Sequence, residues 1–257
     1  GFFCLDRAAP IMRLYPNFRT LHCGRCNWVT EGFGASMGRV TLADPPPLRN
    51  LTTLILTHTR INAWSLRNLL DAIGPGLSKV RIYRDGELLL SVNDNDDVVE
   101  LDDAVAALQP WRATLNELSF SIDGIVLPPS PSHFHGMHLL RNFKVLKVLR
   151  VHAASFDFFG DVGDQAAALD STIPDSVSEL RLFGLSNLAP ALRGLLEAHR
   201  AGGFECLSKI EIDDQKLEQY EPEWEAARDL RDVRDGFRSV GVNFIVHSES
   251  AQSAVDG

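Results

Sequence analysis

Leu51-Thr52-Thr53-Leu54-Ile55-Leu56 decides how this chain is read. Leu54 and Leu56 stand two apart, the spacing at which side chains of an extended strand fall on one face. The same L-x-x-L-x-L frame returns as Leu77, Val80, Ile82; Leu115, Leu118, Phe120; Leu146, Leu149, Val151; Val177, Leu180, Leu182; and Leu207, Ile210, Ile212. An earlier copy is Phe18, Leu21, Cys23. The starts of these seven copies lie about 26 to 38 residues apart, mostly longer than the roughly 20 to 29 of the ordinary leucine-rich period. The surplus length is expected in loops or longer helices.

Beyond each strand the frame requires an Asn or Cys to tie backbone groups in the turn, then an apolar residue that re-enters the core. Cys26 with Trp28, Thr59 with Ile61, Asp123 with Ile125, Ala154 with Phe156 and Gln215 with Leu217 fit these places, and only Cys26 is of the expected type. Between the strands lie stripes of helical spacing. One is Trp64, Leu66, Leu69, Leu70, Ile73; a second is Val98, Leu101, Val105, Leu108, behind an acidic start at Asp94, Asp96 and Asp97. A third, Leu188, Leu192, Leu195, Leu196, is stopped by Gly202 and Gly203. Glu218 to Val240 reads as a long exposed terminal helix.

Strand, turn and helix in repetition imply parallel strands joined by right-handed crossovers. No single unit can bury its own apolar face, so neighbours must stack. The expected fold is α/β: a leucine-rich-repeat solenoid, a curved horseshoe with parallel strands on its concave face and helices on its convex face. The repeats occupy residues 1–247 as one domain, and the polar tail 248–257 is expected to be disordered.

These copies resemble the irregular, long-unit leucine-rich repeats of fungal F-box and related proteins. The resemblance runs over residues 14–247 and includes the ending Phe237 to Val246, FRSVGVNFIV, which is similar to their last strand. It implies the substrate-binding repeat region of an F-box-type ubiquitin ligase component, with a ligase adaptor as partner if an F-box precedes this chain. No F-box-like helical segment stands before Phe18 and the first residue is Gly1, so an N-terminally truncated chain is expected. A leucine-rich-repeat scaffold with no ligase role is the alternative.

Composition narrows the classes further. The 257 residues are 45% hydrophobic and 23% charged, as in an ordinary globular protein. A net charge of -9 and a pI near 5.3 disfavour nucleic acid and anionic membranes as partners, since both need a positive field. No apolar run is long enough to span a bilayer, and no secretory leader opens the chain. The four cysteines, Cys4, Cys23, Cys26 and Cys206, are too scattered for a disulfide framework, which points to a cytoplasmic or nuclear home.

In such an array the non-core strand positions line the concave face, where a partner segment touches several repeats at once. One row is His22, Ile55, Arg81, Ser119, Arg150, Arg181, Glu211; the next is Gly24, Thr57, Tyr83, Ser121, His152, Phe183, Asp213. Arg81, Arg150 and Arg181, with Lys79, Arg84 and Lys147, form a basic strip, and Tyr83, His152 and Phe183 stand beside it. Arginine with aromatic neighbours is hot-spot composition. Because guanidinium forks grip carboxylates and phosphates, the expected partner is a protein or peptide that is acidic or phosphorylated.

Four other patterns carry less. Gly34-Ala35-Ser36-Met37-Gly38 matches the G-x-S-x-G elbow of serine hydrolases, with His247 late in the chain. Yet no strong strand leads into it and Pro45-Pro46-Pro47 follows, so an inter-repeat loop is the better reading and no enzyme is expected. Cys23 and Cys26 have half the spacing of a zinc site but no second pair. His133, His135 and His138 share a proline-rich loop without a local carboxylate or cysteine. The acidic run Asn93 to Asp103 lacks the glycine and final glutamate of a calcium loop. Neither metal nor cofactor is expected.

Overall fold

The computed structural model describes residues 3–12, 14–15, 17–29, 33, 46–59, 61–85, 99, 101–123, 137–152, 169–183, 188–213 and 225–247. The chain divides into two compact units, Gly1–Leu127 and Pro128–Gly257. The fold is α/β, and each unit carries four parallel strands in sequence order.

In the first unit a short strand β1 (Phe3–Cys4) precedes helix α1 (Ala9–Met12), then β2 (Thr20–Gly24) and β3 (Cys26–Trp28). There follow β4 (Thr53–Thr59), α2 (Ala63–Asp71), β5 (Lys79–Asp85), α3 (Leu101–Ala107) and β6 (Glu117–Asp123). The sheet order is β6-β5-β4-β2, while β1 pairs with β3 alone. In the second unit β7 (Val148–His152), β8 (Glu179–Phe183), helix α4 (Leu188–Arg200), β9 (Lys209–Asp213), helix α5 (Glu225–Ser239) and β10 (Asn243–His247) build a sheet in the order β10-β9-β8-β7.

The repeat frame is the core. Leu54 pairs in register with Val80 and Val80 with Leu118; Leu56 pairs with Ile82 and Ile82 with Phe120. In the second unit Leu149, Leu180, Ile210 and Phe244 form one column, and Val151, Leu182 and Ile212 form another. All of these are buried, as are the leading residues Leu51, Leu77, Leu115, Leu146, Val177 and Leu207. The Phe18 copy is looser: Cys23 is buried, but Phe18 and Leu21 are only half-buried, because β2 is the last strand of its sheet.

Repeats are tied together by main chain. The Thr52 carbonyl accepts the amides of Ser78 and Lys79 and the Ser78 hydroxyl; the Ser178 carbonyl accepts those of Ser208 and Lys209 and the Ser208 hydroxyl. In the Leu51 copy the turn position works as the frame requires. His58, at φ 49, kinks β4 so that Thr59 turns inward, where its hydroxyl donates to the Cys26 carbonyl and accepts the Ile61 amide at 3.2 Å. Thr59 and Ile61 are both buried. Ile125, Ala154, Phe156, Gln215 and Leu217 lie outside the described residues, as does the tail 248–257.

Three sequence expectations need correcting. Trp64 belongs to no buried stripe: it is exposed, while Leu66, Leu69, Leu70 and Ile73 are buried, because a helix of 3.6 residues per turn places Trp64 off that face. The terminal helix is described over Glu225–Ser239 and is not exposed throughout, since Leu230, Val233 and Phe237 are buried. The stretch Phe237 to Val246 is not one strand. Phe237 closes the inner face of α5; Gly241 at φ 87 reverses the chain, the Val242 amide caps the Phe237 carbonyl at 3.0 Å, and only Asn243–His247 is extended. Phe237 and Phe244 then stack with ring centroids 5.8 Å apart.

Among the described residues no helix is long and apolar enough to cross a membrane. Backbones approach closely where the loop after α2 meets the strand-leading turn at Leu48: a Cβ on Gly74 would lie 2.6 Å from the Arg49 Cα, whereas one on Gly76 meets nothing within 4 Å. Gly74→Ala is therefore expected to lose about 1–3 kcal/mol in urea unfolding through overpacking, and Gly76→Ala to change stability by less than about 0.5 kcal/mol. Equal effects at the two sites would contradict this packing.

Candidate functional site

Outward strand positions form rows in each sheet, because parallel pairing without slippage keeps equivalent residues side by side. In the first unit the rows are Thr20, Thr53, Lys79, Glu117; His22, Ile55, Arg81, Ser119; and Gly24, Thr57, Tyr83, Ser121. In the second they are Val148, Glu179, Lys209, Asn243; Arg150, Arg181, Glu211, Ile245; and His152, Phe183, Asp213, His247. The two rows read from the sequence are thus aligned as expected within each unit.

Charge on these rows is more evenly matched than a basic strip. In the first unit Lys79 Nζ and Arg81 share one carboxylate: Lys79 lies 2.7 Å from Glu117 Oε2, and Arg81 donates through Nε to Oε1 at 2.7 Å. Tyr83 follows on the same face, half-buried between Thr57 and Ser121. His22 Nε2 is 3.3 Å from the Thr57 hydroxyl. Arg84 is paired through its backbone with Thr59 and Ile122, and its side chain lies outside the described set.

In the second unit Arg181 donates to Asp213 Oδ2 at 2.8 Å and lies 3.9 Å from Glu211, with its guanidinium 5.1 Å above the Phe183 ring. Lys209 Nζ reaches Glu211 at 2.7 Å, and His247 Nε2 lies 3.6 Å from the same carboxylate. Partial burial opposes ionisation of Glu211, but the Lys209 contact, the Arg181 charge and His247 outweigh it and hold its carboxyl below the usual range. Arg150 is half-buried in register with Arg181. Lys147 is exposed just before β7, and its carbonyl accepts the Ser178 and Glu179 amides.

His152 departs from the expected exposed row, being only 5% exposed. Burial pushes its pKa down to about 4, so the imidazole is neutral near pH 7 and is not a surface cation. Sequence reasoning also passed over Glu117 and Lys209. Both stand in the row two residues before the arginines, and opposite charge at neighbouring frame positions was the available signal.

Ser36, His133 and His135 lie outside the described residues, while His138 is exposed. Cys23 and Cys26 are both buried, and burial with the neighbouring Cys26 pushes the Cys23 thiol up to about 12, so it is protonated near pH 7. Among the described residues no group of three or more His, Cys, Asp or Glu is placed to hold a metal ion. No protein-family model matches the chain, and no curated protein matches it at a significant level.

The lowered His152 pKa fixes a sign for pH dependence. The unfolded chain takes up a proton near pH 6.5 that the folded chain refuses until about pH 4, so this contribution is complete above 6.5 and is lost as pH falls through that window. Between pH 7 and pH 4.5 the loss is about 2–3 kcal/mol. Urea midpoints at the two pH values should differ less in His152→Gln than in the parent; an identical difference would show that another group carries the effect.

Proposed function

We propose that this chain is a leucine-rich-repeat recognition module that binds a protein segment along the outward rows of its strands, and that it serves as the substrate-binding region of an F-box-type ubiquitin ligase component. The observation that carries the binding reading is the in-register alignment of non-core side chains, Lys79, Arg81 and Tyr83 in one unit and Arg181 and Phe183 in the other. An extended segment lying across the rows of either sheet meets an equivalent position on every strand of that sheet, about 4.8 Å apart.

The side chains suit recognition. Tyr83 and Phe183 offer flat, half-buried rings of low conformational entropy, and Arg181 is held against Phe183 before any partner arrives. Preorganised aromatic and guanidinium groups lose little freedom on binding. The solenoid form and the ligase link are supported by the repeat frame and its resemblance to F-box-type repeats. No chemistry is assigned to the module.

A photo-crosslinking residue in place of Tyr83 or Phe183, introduced into the full gene product in cells, should capture a protein that the same residue at exposed Arg67 does not. The ligase adaptor and cullin should co-purify with that product. Tyr83→Ala with Phe183→Ala is expected to release the captured protein while retaining adaptor and cullin. Retention of the captured protein by the double variant would place recognition on another face.

A further inference from the structure

We propose that Lys79 and Arg81 in the first unit form the seat for an acidic group of the bound segment, a carboxylate or a phosphate, with Glu117 as the positioning residue beneath them. This rests on the recognition reading above and names the chemistry of its partner. The two cations occupy neighbouring outward positions of β5, and both lean on Glu117, which is 12% exposed against 29% for each cation. Solvent therefore meets the cations more than their counter-ion.

Donor arithmetic gives the direction. An ammonium carries three N–H groups and a guanidinium five, whereas a carboxylate offers about four acceptor sites. Lys79 and Arg81 together therefore hold more donors than Glu117 can satisfy. Over the three rows that cross all four strands of this sheet, Glu117 is the one acid against the two cations Lys79 and Arg81, and Asp85 in register with Asp123 comes only in the row beyond Tyr83, at the other end of β5. The second unit differs: there Arg150, Arg181 and Lys209 face Glu179, Glu211 and Asp213, and the charges balance. Anion recognition is thus assigned to the Lys79 end of β5, where two cations share one acid.

Glu117 has a physical role in this seat. Two like charges side by side repel, and long side chains are costly to order; one shared carboxylate removes both penalties while leaving outward donors unspent. Tyr83, two residues on along the same face of β5, supplies a ring and a hydroxyl beside the anion.

The test is fluorescence anisotropy on the full chain with three labelled heptapeptides: glutamate-rich, phosphoserine-containing and lysine-rich. The first two should bind and weaken with added salt, the lysine-rich one should not, and the tighter of the first two identifies carboxylate or phosphate as the source. Lys79→Gln with Arg81→Gln should weaken binding about tenfold or more, the scale of a lost charge-assisted hydrogen bond. Arg67→Gln, exposed on α2, should leave it within about twofold, each variant being checked for an unchanged unfolding midpoint. Should Lys79→Gln with Arg81→Gln fail to fold, Arg81→Gln alone supplies the comparison. Equal binding of acidic and basic peptides, no binding of either acidic peptide, or full retention in the variants overturns the seat. Crosslinking at Tyr83 that persists despite such a result would leave the recognition surface standing and remove only its anion chemistry.

Discussion

One carbonyl per repeat, offered sideways to the next, holds the register on which everything else rests. The Arg19 carbonyl accepts the Thr52 and Thr53 amides, that of Thr52 serves Ser78 and Lys79, and that of Ser78 serves Asn116 and Glu117. In the second unit the Lys147 carbonyl serves Ser178 and Glu179, and the Ser178 carbonyl serves Ser208 and Lys209. A strand slipped by one residue would turn Leu54, Val80 and Leu118 to water and bring Arg81 into the core. The repeated carbonyl contact sits one residue before each strand and opposes that slip, at a point where buried polar groups need partners anyway.

The apolar columns and the charged rows are two consequences of that register. Inward, aliphatic side chains stack on their equivalents in the next strand, and Leu54, Leu56, Val80 and Ile82 are fully covered. Outward, the same alternation brings Lys79 opposite Glu117 and Arg181 opposite Glu211. Ion pairing on these rows is therefore a property of the ladder, with each pair joining neighbouring repeats and adding to their cohesion only modestly while it stays half-exposed.

Much of this was legible in the sequence, and the limits have physical causes. The spaced triplets located the strands because a buried strand face needs apolar residues two apart, and tertiary packing agrees with that local pattern at every complete copy. The end of the chain was harder. Phe237 and Phe244 are both apolar and both buried, and only the left-handed turn at Gly241 separates a helix from a strand between them. Trp64 counted as apolar, yet its place on α2 faces away from the core. The outward rows were readable from alternation, but exposure within them was not. His152 occupies the same kind of position as Tyr83 and is nonetheless covered, because burial there depends on neighbouring strands rather than on spacing. The serines and threonine that donate to the repeated carbonyls, Thr52, Ser78, Ser178 and Ser208, recur just after the leading apolar residue, a regularity visible only once hydroxyls are counted with the frame.

The acidic character of the chain gives the outward cations their meaning. A lone arginine on a surface of opposite charge is drawn toward whichever carboxylate is near, and its donors are spent within the protein. On the second sheet Arg181 is drawn to Asp213 and Glu211 and lies over the Phe183 ring, which neutralises its charge, although its Nε is buried without a hydrogen-bond partner among the described residues. At the Lys79 end of the first sheet a single glutamate serves two cations. Two sheets built by one repeat frame thus differ in how their outward cations are paired. Part of the difference lies on β6, where the buried Ser119 and Ser121 stand in the rows in which the second sheet carries Glu211 and Asp213, the two acids that hold Arg181. Exchanging acids for small hydroxyls at those two places leaves the inward columns untouched while altering how far the neighbouring guanidinium is neutralised, so a repeat architecture can change its outward ion pairs without altering its core.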